Sequence, residues 1–110
     1  MNLKFTPENI FLVGGSVRDY ILNKKINDYD FVIYCDDNDF EIKAKEFIKE
    51  NFNKNGFLIG KQFPPTMRAV VNNNIYVDVT LMCGDIENDA LRRDFTINSL
   101  YMKLDNHTII

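Results

Sequence analysis

Apolar and polar positions along this chain switch between a strand-like and a helix-like period, and the switches mark its elements. Ile10–Val13 is a short unbroken apolar run closed by Gly14-Gly15, as in a buried strand that ends in a tight turn. Val17, Tyr20 and Ile21 then fall at helical spacing, leaving Arg18 and Asp19 off the apolar stripe. Ser16 stands where an N-cap belongs, and Asp19 three residues on makes an imperfect capping box. Asn23-Lys24-Lys25 suits the end of that helix. Tyr29–Tyr34 reads as a second strand, apolar on both faces beyond Asp30, as in a sheet covered by helices. Asp36–Asp39 starts a helix that runs to about Asn51, with Phe40, Ala44, Phe47 and Ile48 on one stripe. Glu41, Lys45, Glu46 and Glu50 form its solvated side.

Beyond the turn at Asn53–Gly56, Phe57–Ile59 and Met67–Val71 are strand-like around a Gly60/Pro64-Pro65 interruption. Asn72-Asn73-Asn74 reads as a hairpin turn, because Asn tolerates the left-handed region. Ile75–Leu81 alternates cleanly, with Ile75, Val77, Val79 and Leu81 on one face and Tyr76, Asp78 and Thr80 on the other. Cys83–Asp89 is a short acidic loop, and Tyr101–Ile110 reads as a small hairpin turning at Asp105-Asn106.

The 110 residues fit one domain, and 45% hydrophobic with 26% charged is ordinary globular composition. A net charge of −3 gives no bulk attraction for nucleic acid, so any such contact needs a local patch, a metal or a partner. Cys35 and Cys83 form no CxxC and suggest free thiols in a reducing compartment. No run approaches a membrane span, and a cytoplasmic protein without a membrane partner is expected. His107, the single histidine, falls in a predicted turn and reads as solvated.

The chemistry concentrates between Leu12 and Val32. Asp28 and Asp30, two residues apart on a strand, point to one face and are acceptor-only oxygen donors of the kind that hold Mg²⁺ beside phosphates. The Gly14-Gly15 turn opens a helix whose first N–H groups suit an anion. Each feature alone has a plain reading, a solvated strand end and a tight turn; neither a Walker A motif nor GxGxxG is present. Asp78 alone is a polar strand residue, and gains meaning only if its face is the one carrying Asp28 and Asp30. Arg92-Arg93-Asp94 offers guanidinium donors suited to phosphate, or a charged turn. Taken together and in this order, they meet the demands of nucleotidyl transfer, a gripped triphosphate bridged by metals to carboxylates.

LVGGSVRDYIL, DYDFV and RRDFTINSL resemble the head domain of the tRNA nucleotidyltransferase/poly(A) polymerase family, the class II CCA-adding enzymes and bacterial poly(A) polymerases. The resemblance runs from about Ile10 to Ile110 and implies an α/β (α+β) domain of the polymerase-β-like nucleotidyltransferase fold, a small mixed sheet flanked by helices. It also implies two Mg²⁺ ions and transfer of a nucleoside monophosphate from ATP or CTP to an RNA 3′-hydroxyl, that of a tRNA above all, with release of pyrophosphate. By position, Asp28, Asp30 and Asp78 match the metal-binding and catalytic carboxylates. Gly14, Gly15, Ser16 and Arg18 match the triphosphate-gripping turn and helix start, and Arg92, Arg93, Asp94 and Asn98 the segment contacting the nucleotide's phosphates and sugar.

Two departures qualify the likeness. The family's arginine-bearing loop has no counterpart, since Met82–Leu91 holds no basic residue. The neck, body and tail that read the base and hold tRNA are also missing, so residues 1–110 correspond to the head alone. The expectation is therefore an RNA 3′-end nucleotidyltransferase, either a piece of a longer enzyme or a minimal one whose missing parts come from a protein partner or a second copy. Two other readings stay open: a minimal nucleotidyltransferase acting on a protein or tRNA end in a toxin–antitoxin or phage setting, and a non-catalytic nucleotide- or partner-binding module.

Overall fold

The structure is a computed structural model that describes residues 9–25, 28–61, 63–72, 75–82, 84, 89 and 101–103. Its strands are β1 (Ile10–Val13), β2 (Tyr29–Ile33), β3 (Phe57–Leu58), β4 (Thr66–Asn72), β5 (Ile75–Leu81) and β6 (Tyr101–Lys103), with helices α1 (Gly15–Ile21) and α2 (Phe40–Phe52). The strands form one mixed sheet in the order β3-β4-β5-β2-β1-β6. β2 and β5 run parallel, and the other neighbours are antiparallel. A parallel pair needs a crossover, and the stretch carrying α2 and the β3–β4 pair supplies it.

α2 follows its sequence pattern closely. A 3₁₀ turn at Asp37–Asp39 leads in, Asn53 in the left-handed region (φ 54°) leads out, and Phe40, Ala44, Phe47 and Ile48 are buried. They join Phe31, Ile33, Met67, Ala69, Val77 and Val79 in the main core. The alternation of β5 is equally faithful, with Val77, Val79 and Leu81 buried.

α1 departs from expectation at its start. Gly14 takes the N-cap place with no side-chain cap, so Ser16 lies inside the helix. Asp19 forms no capping box; it accepts from Arg18 Nε at 3.2 Å. The helix ends in a Schellman arrangement at Asn23 (φ 56°), with Lys24 N–H donating to the Asp19 carbonyl at 2.8 Å and Asn23 N–H to that of Tyr20 at 3.1 Å. Seven residues allow one turn to touch the sheet: Val17 is buried, while Ile21 is 52% exposed and off the core.

Smaller differences concern strand ends. β2 stops at Ile33 and leaves Tyr34 exposed, and β4 runs from Thr66 to Asn72, one residue beyond the predicted strand at each end. Asn73 and Asn74 of the predicted turn, and the predicted hairpin tip at Asp105-Asn106, lie outside the described residues. β6 pairs with β1. On the sheet face away from α2, Phe11, Val13, Val32, Met82 and Tyr101 form a second buried cluster. Asp89, read from sequence as part of an acidic loop, is buried and accepts a hydrogen bond from the Tyr101 hydroxyl.

Candidate active site

The parallel register sets Asp30 level with Asp78. Because partners across a ladder share a face, both carboxylates stand on the side away from α2, where Asp28 joins them two residues earlier. Neighbouring strands stand about 4.8 Å apart, so this is close company for like charges. The face is laid out in rows. Asp30, Asp78 and Arg68 form one across β2, β5 and β4; Val32, Thr80 and Thr66 form the row beyond it. On the other side, Tyr76 pairs with Val70, and its backbone N–H donates to Asp28 Oδ1 at 3.0 Å.

Ser16 joins the glycine turn to this face. Its hydroxyl donates to the Asp28 carbonyl at 2.8 Å, and Asp30 N–H donates to Ser16 Oγ at 3.1 Å. A residue placed at the cap by sequence thus serves as the pin between α1 and the start of β2. Ser16→Ala is expected to cost about 1–3 kcal/mol, because the Asp30 amide loses its partner in a part-buried site. Faster hydrogen exchange at the Asp30 amide, read by NMR, is the direct check.

Gly14 holds φ 67° and ψ −136°, a backbone region closed to side chains. Gly14→Ala is expected to cost about 1–3 kcal/mol in urea denaturation. A Cβ on Gly15 would instead make an ordinary contact with Arg18 Nη2 at 3.5 Å, since the Arg18 guanidinium folds back over the first turn. There it pairs with Asp19 at 3.2 Å and remains half exposed. Arg92, Arg93, Asp94 and Asn98 lie outside the described residues.

Arg68 escaped the sequence reading. Its Nε and Nη2 donate to Asp78 Oδ1 and Oδ2 at 2.8 and 3.0 Å, and its guanidinium lies 5.0 Å from the Tyr76 ring centroid. The hydrogen bond to Asp78 raises the Arg68 pKa further, against the pull of desolvation. Cys35 is a free thiol that burial pushes up.

The donor set answers the expectation of a metal in part. Asp28 and Asp30 offer hard oxygen donors on a solvent-facing surface, which suits Mg²⁺. Asp78 as found does not, because both its oxygens are engaged by a cation. Among the described residues no group of three or more His, Cys, Asp or Glu converges as a metal cage.

A mixed sheet with two helices on one face and paired carboxylates on the other is the nucleotidyltransferase fold, shared with solved CCA-adding enzymes. Residues 10–110 match the poly(A) polymerase head domain, and the chain belongs to that family. It is 33% identical to a CC-adding tRNA nucleotidyltransferase of Thermus thermophilus in an alignment of 104 positions that covers 90% of this chain and 21% of that protein. To a poly(A) polymerase I of Escherichia coli it is 31% identical, over 90% of this chain and 25% of that one. A CCA-adding enzyme solved with CTP superposes with a TM-score of 0.66 at 30% identity, over 93% of this chain and 24% of the other. The chain thus spans about a quarter of the length of these relatives.

Proposed function

We propose that this chain is a catalytic head domain, residues 1–110, that transfers a nucleoside monophosphate from ATP or CTP to an RNA 3′-hydroxyl and releases pyrophosphate. The observation that carries this reading is the register of β2 on β5, which sets Asp30 beside Asp78 on the face that Ser16 ties to the glycine turn. The names of the relatives support an RNA acceptor, since one is a CC-adding tRNA nucleotidyltransferase and the other a poly(A) polymerase.

Asp28 and Asp30 would hold Mg²⁺, which when bound supplies charge neutralisation of the phosphates and activation of the attacking hydroxyl. The chain's own part is positional. Tyr76 N–H fixes one Asp28 oxygen, while Ser16 fixes the backbone between the two aspartates. Arg18, at the first turn of α1 and half exposed, would meet a phosphate, with Arg92 and Arg93 as further donors by their place in the sequence motif. Asp94 and Asn98 would contact the sugar. Asp78 would join the metal or act on the acceptor hydroxyl once its own partner is displaced. Among the described residues no helix is long and apolar enough to cross a membrane, and we place the protein in the cytoplasm with its nucleotide and tRNA.

The test is incubation with Mg²⁺, each α-labelled nucleoside triphosphate in turn, and a tRNA lacking its 3′ end, with Asp28→Asn alongside. Label entering the RNA, and lost in the variant, is the expected result. Label entering protein instead would move the assignment to another acceptor, and nucleotide binding without transfer to any acceptor would make the domain a binding module.

A further inference from the structure

The fork between Arg68 and Asp78 lies on the carboxylate face, yet the transfer as proposed leaves the guanidinium no task. Asp78 is level with Asp30, and a divalent cation held by Asp28 and Asp30 would stand beside it. The same Asp78 carboxylate takes two hydrogen bonds from Arg68, with side-chain exposures of 20% and 36%. A dication and a guanidinium on one carboxylate repel each other. A planar fork that fits a carboxylate fits a phosphate equally well, and the pair, part-buried but with the guanidinium 36% exposed, leaves a polyphosphate access to Arg68. Tyr76 offers the displaced guanidinium a second resting surface, since its ring already lies 5.0 Å away.

We propose that Arg68 is a positioning residue that keeps Asp78 out of the metal site in the free protein and releases it when a polyphosphate draws the guanidinium away. The metal site would then be a two-carboxylate site at rest, completed by the nucleotide. This rests on Asp28 and Asp30 holding the metal, as proposed above. It places the order of assembly in one arginine on β4, rather than in a moving domain.

Mn²⁺ binding to the nucleotide-free chain, followed by electron paramagnetic resonance, tests it without reference to turnover. Arg68→Met is expected to bind Mn²⁺ about tenfold tighter than the parent, because a positive neighbour is gone and Asp78 is released. Asp78→Asn alone removes one negative charge and is expected to weaken Mn²⁺ binding modestly, and clearly less than in the Arg68→Met background, where it also removes a ligand and erases the gain. Arg68→Lys keeps the charge without the fork and should fall between. With a non-hydrolysable ATP analogue present, Asp78→Asn should weaken Mn²⁺ binding even with Arg68 in place. A far-UV circular dichroism melt of each variant shows that it is folded.

Unchanged or weaker Mn²⁺ binding in Arg68→Met would overturn the proposal. So would an Asp78→Asn effect equal in the two backgrounds, as a merely structural pair would give. Asp28→Asn separates the two levels: it should remove Mn²⁺ binding in both backgrounds. If it does not, the metal assignment of Asp28 fails, whatever Arg68 does.

Discussion

Asp30→Asn is expected to lower kcat/KM for nucleotide transfer by about three orders of magnitude or more, some 4 kcal/mol of lost transition-state stabilisation. Asparagine keeps the shape and an oxygen, but a neutral amide is a poor partner for Mg²⁺ and cannot offset its charge. The substitution is local because the strand is held through its backbone: the Asp30 amide donates to Ser16 whatever its side chain, and β2 stays paired to β5. The variant should therefore stay folded, with a change in stability small beside the roughly 4 kcal/mol lost in transfer. Steady-state transfer assays beside a urea titration decide the matter. Full activity would remove Asp30 from the site, and unfolding would make its role structural.

The contrast between Asp78 and Arg68 shows what a sequence can and cannot disclose. Asp78 lies in a clean alternation, so its polar face follows from the period of two alone, and Phe40, Ala44, Phe47 and Ile48 follow from the helical period. Both patterns are local. Arg68 depends on register, which is not. Asn72 pairs with Ile75, and a regular ladder continued from there would set Ala69 against Asp78 and turn Arg68 to the core face. The irregularity between Val70 and Asn72 shifts the ladder by one residue and brings Arg68 opposite Asp78 instead. No property of residues 66–72 taken singly announces that step.

Ser16 and Asp89 were opaque for related reasons. Ser16 has the right identity for a cap, but Gly14 alone can adopt the backbone that starts α1 there, so the cap moves two residues earlier and frees the hydroxyl for β2. Asp89 reads from sequence only as the end of a short acidic loop. Its burial depends on Tyr101, twelve residues on, whose hydroxyl satisfies it. In both cases a distant partner settles a side chain's role, and the local pattern is silent about it.

Phe47→Ala is expected to destabilise the fold by about 3–5 kcal/mol, the usual cost of emptying a buried aromatic site. Phe47 is fully buried, its ring centroid 4.9 Å from that of Phe31 at 71° and 6.5 Å from that of Phe52 at 67°. Such edge-on pairs add about 0.5–1.5 kcal/mol beyond the area they bury. A domain of this length has about 5–15 kcal/mol in all, so the loss is a large share, and the melting midpoint should fall by roughly 15–30 °C. Ile42, on the outer side of the same helix and 63% exposed, is the internal control: Ile42→Ala should cost within about 0.5 kcal/mol. Phe31 links this core to the chemistry, being the residue after Asp30 and packed directly on Phe47. Loosening α2 therefore loosens the strand that carries the aspartates, and transfer by Phe47→Ala should fall with the folded fraction and return on cooling. A cost below about 1 kcal/mol in urea would show that α2 is not what holds β2 in place.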